Sequence, residues 1–288
     1  MKRHLFKKRT RPDLNQRYSF PKSSGTTKPW KKFVLLVLIG AVVGVAFYFN
    51  MQRLEKLERE KGERYHGSKP LKVLALGDSI THGKTGYDSW RRELHSKLVH
   101  SRYLVDMVGS MSEVYPCSNH LHDDFDTDHE GHWGWRIDEI LNGRDKEDCS
   151  GSGKLSEWLK SYTPDLVLIH LGSNDTFQGQ STESSIDELE AVIQTLRRDN
   201  GKVVIFIAKI IPTGDLRYNV AIQDLNEGIE EAIGKWNTEK SPVFLVDQYR
   251  GFDALRYTFD AVHPNEEGEA VMATTWYQAI VDYLEREI

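Results

Sequence analysis

Five short apolar runs, separated by stretches of which several read as helices, constrain the fold of this chain more than any other feature. They are Leu71 to Leu76, Val105 to Val108, Asp165 to Leu171, Val203 to Ala208 and Val243 to Val246. Runs of this kind lack the polar alternation of a strand with one wet face, so they read as strands buried on both sides. Helices are predicted over Trp90 to Val99, with Trp90, Leu94 and Leu98 at helical spacing, and over Ile186 to Arg198, where Ser185 and Glu188 are spaced as a capping box. Tyr218 to Trp236 and Glu266 to Arg286 complete the set. Strands alternating with helices define an α/β fold, a three-layer αβα sandwich around a five-stranded parallel sheet. Residues 71–288 hold one such domain, without an internal repeat.

The chain ahead of that domain has a different texture. Residues 1–32 carry eleven Lys/Arg against one acid, Asp13, so the whole-chain charge of −5 divides into +10 for this tail and −15 for the remainder. Phe33 to Phe49 follows, seventeen residues without a charge. A helix of that length extends about 25 Å, near the short end of what crosses a bilayer. Three readings compete for it. A buried core helix would show polar residues at helical spacing, and this run is apolar all round. A cleaved signal peptide finds a small-x-small triplet at Gly44-Val45-Ala46, but the triplet sits inside the apolar run behind a long basic region. The preferred reading is a single signal-anchor helix, with Trp30 and Tyr48 suited to the two interfaces. The positive-inside bias then puts residues 1–32 in the cytoplasm. The chain is expected to be a single-pass type II membrane protein with its catalytic domain outside the cell or in the secretory lumen. Residues 50–70, mixed in charge and poor in apolar positions, read as a solvated stem. The lipid bilayer is thus an expected partner through residues 33–49. No nucleic-acid motif accompanies the basic tail, and no obligate protein partner is evident.

Open parallel sheets bind ligands beyond the carboxyl ends of their strands. The first run leads into Gly77-Asp78-Ser79-Ile80-Thr81-His82-Gly83-Lys84-Thr85. A phosphate-binding loop is excluded because five residues, not four, separate Gly77 from Gly83. A G-x-G-x-x-G fingerprint is absent, and a lipase elbow lacks its second glycine at Thr81. What remains is Ser79 at a strand tip. The third run leads into Gly172-Ser173-Asn174-Asp175, which adds an amide at the same edge of the sheet. In Asp260-Ala-Val-His263-Pro264 the acid and the imidazole are spaced to share one turn. A nucleophile, a base and an orienting acid occur in the chain order Ser, Asp, His.

These residues resemble the four motif blocks of the GDSL, or SGNH, hydrolases: glycine-aspartate-serine after strand one, a glycine after strand two, asparagine after strand three, and D-x-x-H near the end. Within that superfamily, GDSITHG (77–83), DMVGS (106–110), DHEGHWGWRID (128–138), YTPDLVLIHLGSND (162–175) and DAVHPNEEGEAVMATTWY (260–277) are similar to the acetylxylan-esterase type of carbohydrate esterase. The resemblance implies a flavodoxin-like SGNH fold with Ser79 as nucleophile, His263 as base and Asp260 as its orienting partner. It implies an oxyanion hole made of the backbone N–H groups of Ser79 and Gly134 and the side-chain amide of Asn174. No metal or organic cofactor is implied, and the expected substrate is an acetylated carbohydrate or another small ester. An esterase or lipase for a small lipid or secondary metabolite would use the same machinery, and an acetyltransferase is a further option. From a different class, a catalytically silent carbohydrate-binding module is disfavoured by the intact Ser79, Asn174, Asp260 and His263 set. The chain departs from the family pattern at Tyr87-Asp88, where Tyr-Arg is common and the next arginine is Arg91, and at Glu269 after Gly268, where tyrosine is usual. Neither departure is expected to touch the catalytic chemistry.

His120, His122, Asp123, Asp124, Asp126, Asp128 and His129 form an acidic, histidine-rich segment. Asp124-x-Asp126-x-Asp128 imitates the start of a calcium loop. Its sixth position is His129 instead of glycine and its twelfth is Trp135 instead of glutamate, so a solvated loop, with the option that it lines the cleft, is preferred and no metal site is assigned. Trp133 reads as a rim residue for a sugar face or, equally, as packed with Trp135 against the sheet. Cys117 and Cys149 flank this segment, and a disulfide between them is expected of a domain outside the cytosol. Asn174-Asp175-Thr176 is formally a glycosylation sequon, expected to stay unmodified if Asn174 lines the oxyanion hole.

Overall fold

The computed structural model describes residues 44–45, 47–53, 56, 69–144 and 148–286. The chain divides into two compact units, Met1–Arg53 and Leu54–Ile288. In the first unit, residues 44–45 and 47–53 are helical and exposed. Among the described residues no helix is long and apolar enough to cross a membrane. The 1–32 tail and most of the 33–49 run and the stem lie outside the described residues.

The second unit opens with β1 (Leu71–Gly77), α1 (Ser79–His82), α2 (Trp90–His100), β2 (Val105–Val108) and β3 (Glu130–Gly131). It continues through α3 (Ile137–Asn142), α4 (Leu155–Trp158), β4 (Leu166–His170), α5 (Ser173–Phe177) and α6 (Thr182–Asp199). The remainder comprises β5 (Val204–Lys209), α7 (Leu216–Trp236), β6 (Val243–Asp247), α8 (Ala254–Tyr257) and α9 (Glu266–Arg286). All strand pairs are parallel, in the order β2-β1-β4-β5-β6. Strand β3 pairs with β1 at Leu76 and Gly77, continuing where the β2 pairing stops at Leu74.

Both faces of the sheet are covered, which is why the strands show no polar alternation. Val73 and Ala75 of β1 pack with Trp90, Leu94 and Leu98 of α2 and with Trp276 and Ile280 of α9. Leu74 and Leu76, pointing the other way, join Ile137 of α3, Leu189 and Ile193 of α6 and Leu225 and Ile229 of α7. The chain leaves β1 for β2 on one side and later returns to β4 on the other. The carboxyl ends of β1 and β4 therefore flank the crevice where ligands of such sheets bind. Gly77 lets those ends close up, since a Cβ there would lie 2.8 Å from the His170 carbonyl oxygen.

Two expectations are corrected. The sheet has a sixth strand, β3, whose two residues, a glutamate and a glycine, give no apolar signal. Helix α6 begins earlier than expected, because Ser181 is its N-cap: the Ser181 hydroxyl oxygen accepts the Ser184 N–H at 3.2 Å. Ser185 is buried inside the helix and does not cap it.

Candidate active site

At the carboxyl edge, β1 passes directly into α1. Asp78 caps this single turn, its Oδ1 accepting the Ile80 N–H at 2.9 Å. Burial pushes the Asp78 carboxyl up to about 6, against the lowering effect of that bond. Ser79 follows as the first helical residue and is 7% exposed.

His263 approaches Ser79 from the turn ahead of α9. Asp260 Oδ1 accepts the N–H groups of Val262 and His263 at 3.1 and 2.8 Å, and Oδ2 lies 2.8 Å from His263 Nδ1. His263 Nε2 lies 2.9 Å from Ser79 Oγ. With Nδ1–H donating to the carboxylate, Nε2 is left to accept the Ser79 hydroxyl proton. Burial would raise Asp260, but the bonds from the His263 backbone and ring and from Val262 outweigh it and hold the pKa below the usual carboxylate value.

This turn is anchored from a distance. Ala261 has φ +72°, a conformation that costs a residue with a Cβ about 1–2 kcal/mol. Its carbonyl accepts the Thr213 hydroxyl and the Gly214 N–H, both at 2.7 Å. The loop after β5 thus holds the Asp260–His263 turn. Thr213 and Gly214 sit in a Pro-Thr-Gly-Asp stretch whose sequence signals only a loop, and nothing in it pointed to this role.

The Trp133 indole stacks on the His263 imidazole, with centroids 4.5 Å apart and planes 15° from parallel, and also on the Tyr115 ring. Trp135, by contrast, is fully buried in the core. Gly134 between them has φ +78°, open to glycine without strain. Asn174, in α5, donates from Nδ2 to the Trp135 carbonyl at 2.9 Å. The neighbours of Gly134 on either side therefore touch His263 and Asn174. One Asn174 amide hydrogen is not used by that bond, and among the described residues the N–H groups of Ser79 and Gly134 have no hydrogen-bond partner.

Cys117 and Cys149 form a disulfide. Cys117 lies two residues after Tyr115, the ring stacked on Trp133. Cys149 precedes Ser150, whose hydroxyl oxygen accepts the Trp135 indole N–H at 2.9 Å. The bridge thus ties together the supports of the Trp133–Trp135 segment.

The acidic, histidine-rich segment is not simply solvated, contrary to expectation. His129 is fully buried: its Nδ1 accepts the Gly131 N–H at 2.8 Å and its Nε2 lies 2.9 Å from the Glu113 carbonyl oxygen. Asp126 accepts the Met107 N–H at 2.9 Å, and Asp124 pairs with Arg92 at 2.7 Å. His120 and His122 both contact Asp88, at 3.2 and 2.6 Å. Elsewhere Asp138, Asp175 and Glu188 bring carboxylate oxygens within 4.8 Å of one another. Each is held by protein donors: Arg136 for Asp138, the Ile137 N–H for Asp175, and Gln180 and Ser184 for Glu188.

A small cleft of about 10 Å³ adjoins Ser79 and His263, with Ile80, Trp133 and Phe259 among its walls. Glu269 and Tyr87 line it as well. The first turn of α9 carries Glu269 to the wall of this cleft, where its Oε1 accepts the Ser89 N–H.

A parallel sheet with serine, asparagine and an Asp-x-x-His turn at its carboxyl edge is the arrangement of an SGNH-type hydrolase. The model of the GDSL-like lipase/acylhydrolase family matches residues 75–271, and the chain belongs to that family. It is 29% identical over 231 residues to a multidomain esterase of Ruminococcus flavefaciens, a match that covers 74% of this chain and 29% of that protein. The chain thus spans less than a third of that relative's length. A carbohydrate esterase family 3 structure from Talaromyces cellulolyticus superposes with TM-score 0.63 at 29% identity, covering 75% of this chain and 99% of the other. The crystal structure of an acetyl esterase mutant with acetate ion gives the same TM-score at 28% identity, over 76% of this chain and all of that one.

Proposed function

We propose that the chain is a carboxylic-ester hydrolase that removes acetyl or another short acyl group from a carbohydrate, with Ser79, His263 and Asp260 as its catalytic triad. The observation that carries this reading is the continuous path from Asp260 Oδ2 through His263 to Ser79 Oγ, with contacts of 2.8 and 2.9 Å at the edge of the sheet. His263 Nε2 takes the Ser79 proton as Oγ bonds to the ester carbonyl carbon. The carbonyl oxygen becomes an oxyanion, met by the N–H groups of Ser79 and Gly134 and by the Asn174 amide. Collapse breaks the bond to the alcohol, which leaves with the proton from His263, and the acyl group stays on Ser79. Water then gives a proton to His263 and attacks the acyl carbon, and a second collapse returns that proton to Ser79 and frees the acid.

The cleft beside Ser79, about 10 Å³, has room for about one water molecule, which argues against a long acyl chain. Similarity to the carbohydrate esterase and the acetyl esterase supports an acetylated sugar. The −15 charge of residues 33–288 favours a neutral polymer over a polyanion, whose local concentration it would lower. The basic tail and the charge-free run at residues 33–49 support a type II membrane anchor with the hydrolase outside the cytosol, and the Cys117–Cys149 disulfide accords with an oxidising compartment.

Acetate release from acetylated xylan by the full chain tests the reading. The unmodified chain is expected to release acetate and Ser79→Ala to lose that activity by orders of magnitude. Binding of the polymer without acetate release would favour the silent module. Turnover of small lipid esters in place of sugar esters would favour the lipase alternative.

A further inference from the structure

Beside the Ser79 cleft lies a larger cavity of about 310 Å³, at the lower end of the range of about 300–1,000 Å³ taken by small-molecule sites. The two spaces share Tyr87 and Glu269 as walls. Tyr87 stacks on Phe259 at 4.4 Å, and Phe259 in turn stacks against His263 at 5.7 Å, so this wall belongs to the same aromatic layer as the imidazole. Glu269 is 8% exposed. Its Oε1 accepts the Ser89 N–H at 3.0 Å, whereas Oε2 has no hydrogen-bond partner among the described residues. Oε2 is not sealed off from the cavity, so it is free to meet a ligand hydroxyl or water there.

The rest of the cavity wall is acidic, with Asp88, Glu93 and Glu266. Its arginine, Arg92, is occupied: Nε and Nη2 bond to Asp124 at 2.8 and 2.7 Å, and Nη1 contacts Glu93 at 3.5 Å. Its histidine, His122, is paired with Asp88. Such a wall offers acceptors to hydroxyl groups and no spare positive charge to an anion.

We propose that this cavity receives the alcohol half of the ester, an uncharged polyhydroxylated group such as a sugar ring, and that Glu269 binds one of its hydroxyls while the acyl group sits in the cleft at Ser79. The proposal rests on the ester-hydrolase reading and adds the surface that selects the alcohol. The sizes divide the substrate accordingly, about 10 Å³ at the nucleophile and about 310 Å³ next to it. Burial pushes the Glu269 carboxyl up to about 8, against the Ser89 N–H and with Asp88 raising and Arg91 lowering it. Raised in this way, the carboxyl holds its proton more readily, and in its acid form it both donates to and accepts from a hydroxyl. A uronic acid or a phosphorylated sugar would meet Glu93 and Glu266 with like charge.

The test uses the full chain and two acetyl esters, an acetylated xylo-oligosaccharide and phenyl acetate, whose small apolar alcohol has no hydroxyls to bind. Glu269→Leu removes the hydrogen-bonding group. Leu121→Trp, at an exposed position on the cavity wall, fills the space without touching the core and keeps the test informative should the Glu269 variant fail to fold. In each, the ratio of kcat/KM for the oligosaccharide to that for phenyl acetate is expected to fall about tenfold, chiefly through KM. Glu269→Gln should restore most of the ratio. An unchanged ratio in both variants overturns the subsite and leaves the hydrolase reading standing. So does turnover of phenyl acetate with none of the oligosaccharide. Failure of the unmodified chain to hydrolyse any ester overturns the hydrolase reading and the subsite with it.

Discussion

The indole of Trp133 covers one face of the His263 imidazole, 4.5 Å centroid to centroid and 15° from parallel. In the proposed reaction that imidazole becomes a cation, and an aromatic face beside a cation is worth about 0.5–2 kcal/mol. The stack also fixes the ring plane between Asp260 and Ser79. Trp133→Ala should lower kcat for a short acyl ester by roughly tenfold with a smaller change in KM, and Trp133→Phe should recover most of the loss. Steady-state kinetics decide the matter: a raised KM at unchanged kcat would make Trp133 a substrate contact and not a support of the base.

Asn174 invites a second experiment. Its amide is oriented by the Trp135 carbonyl and has one hydrogen to spare for a developing oxyanion. Asn174→Ala should reduce kcat by about 10²–10³ with little effect on KM, as loss of one oxyanion donor does elsewhere. Equal kcat in the variant would remove Asn174 from the chemistry.

The disulfide joins residues 32 apart in sequence. Closing a loop of that size stabilises a fold by about 3–4 kcal/mol in the chain-entropy description. Cys117→Ser with Cys149→Ser should therefore lower the unfolding free energy by about that amount in denaturant titration. Because the bridge ties the supports of Trp133 and Trp135, the same variant should lose activity at denaturant concentrations where the sheet is still intact. Parallel loss of activity and far-UV signal would contradict that link.

Buried groups of opposite behaviour shape the pH dependence of stability. Burial pushes Asp78, Asp175 and Glu269 up to about 6, about 7 and about 8, and holds His82 and His170 down to about 3 and about 4. A raised carboxyl contributes fully below its unfolded value of about 4, and the contribution is lost as pH rises through the folded value. A depressed histidine contributes fully above about 6.5 and loses that contribution as pH falls toward its folded value. The two sets oppose each other from about pH 4 to 6.5, and above that range these carboxyls alone act. Stability should decline from about pH 6.5 to 8, and Asp175→Asn should flatten the decline by up to about 1.4 kcal/mol per pH unit. Melting curves from pH 5 to about 9 check this; parallel profiles for the two proteins would contradict it.

What could be read in advance follows from how each feature is encoded. The runs that became β1, β2, β4, β5 and β6 were visible because strands buried on both sides are apolar along most of their length. Strand β3 was not, since Glu130 and Gly131 pair with β1 without any hydrophobic signature. Ser79 and Asn174 stand out because each follows a strand end, and Asp260 and His263 because one short turn holds both. The structure brings Ser79, His263 and Asp260 into hydrogen-bond contact. Thr213 and Gly214, which hold that turn, and the stack of Trp133 on His263 depend on loops distant in sequence meeting at the sheet edge. The place of Glu269 on the cleft wall was hidden for the same reason, because helical spacing gives the buried face of α9 but not the cleft that its first turn reaches.

Labelling with an organophosphonate ester tests the role of Ser79 most directly. The full chain, treated with the reagent and digested, should carry one phosphonyl group, located by peptide mass spectrometry on Ser79, with loss of esterase activity in proportion to labelling. His263→Ala should label far more slowly. An adduct on a different residue at full inactivation, or undiminished acetate release by Ser79→Ala, would contradict the assignment of Ser79 as the nucleophile.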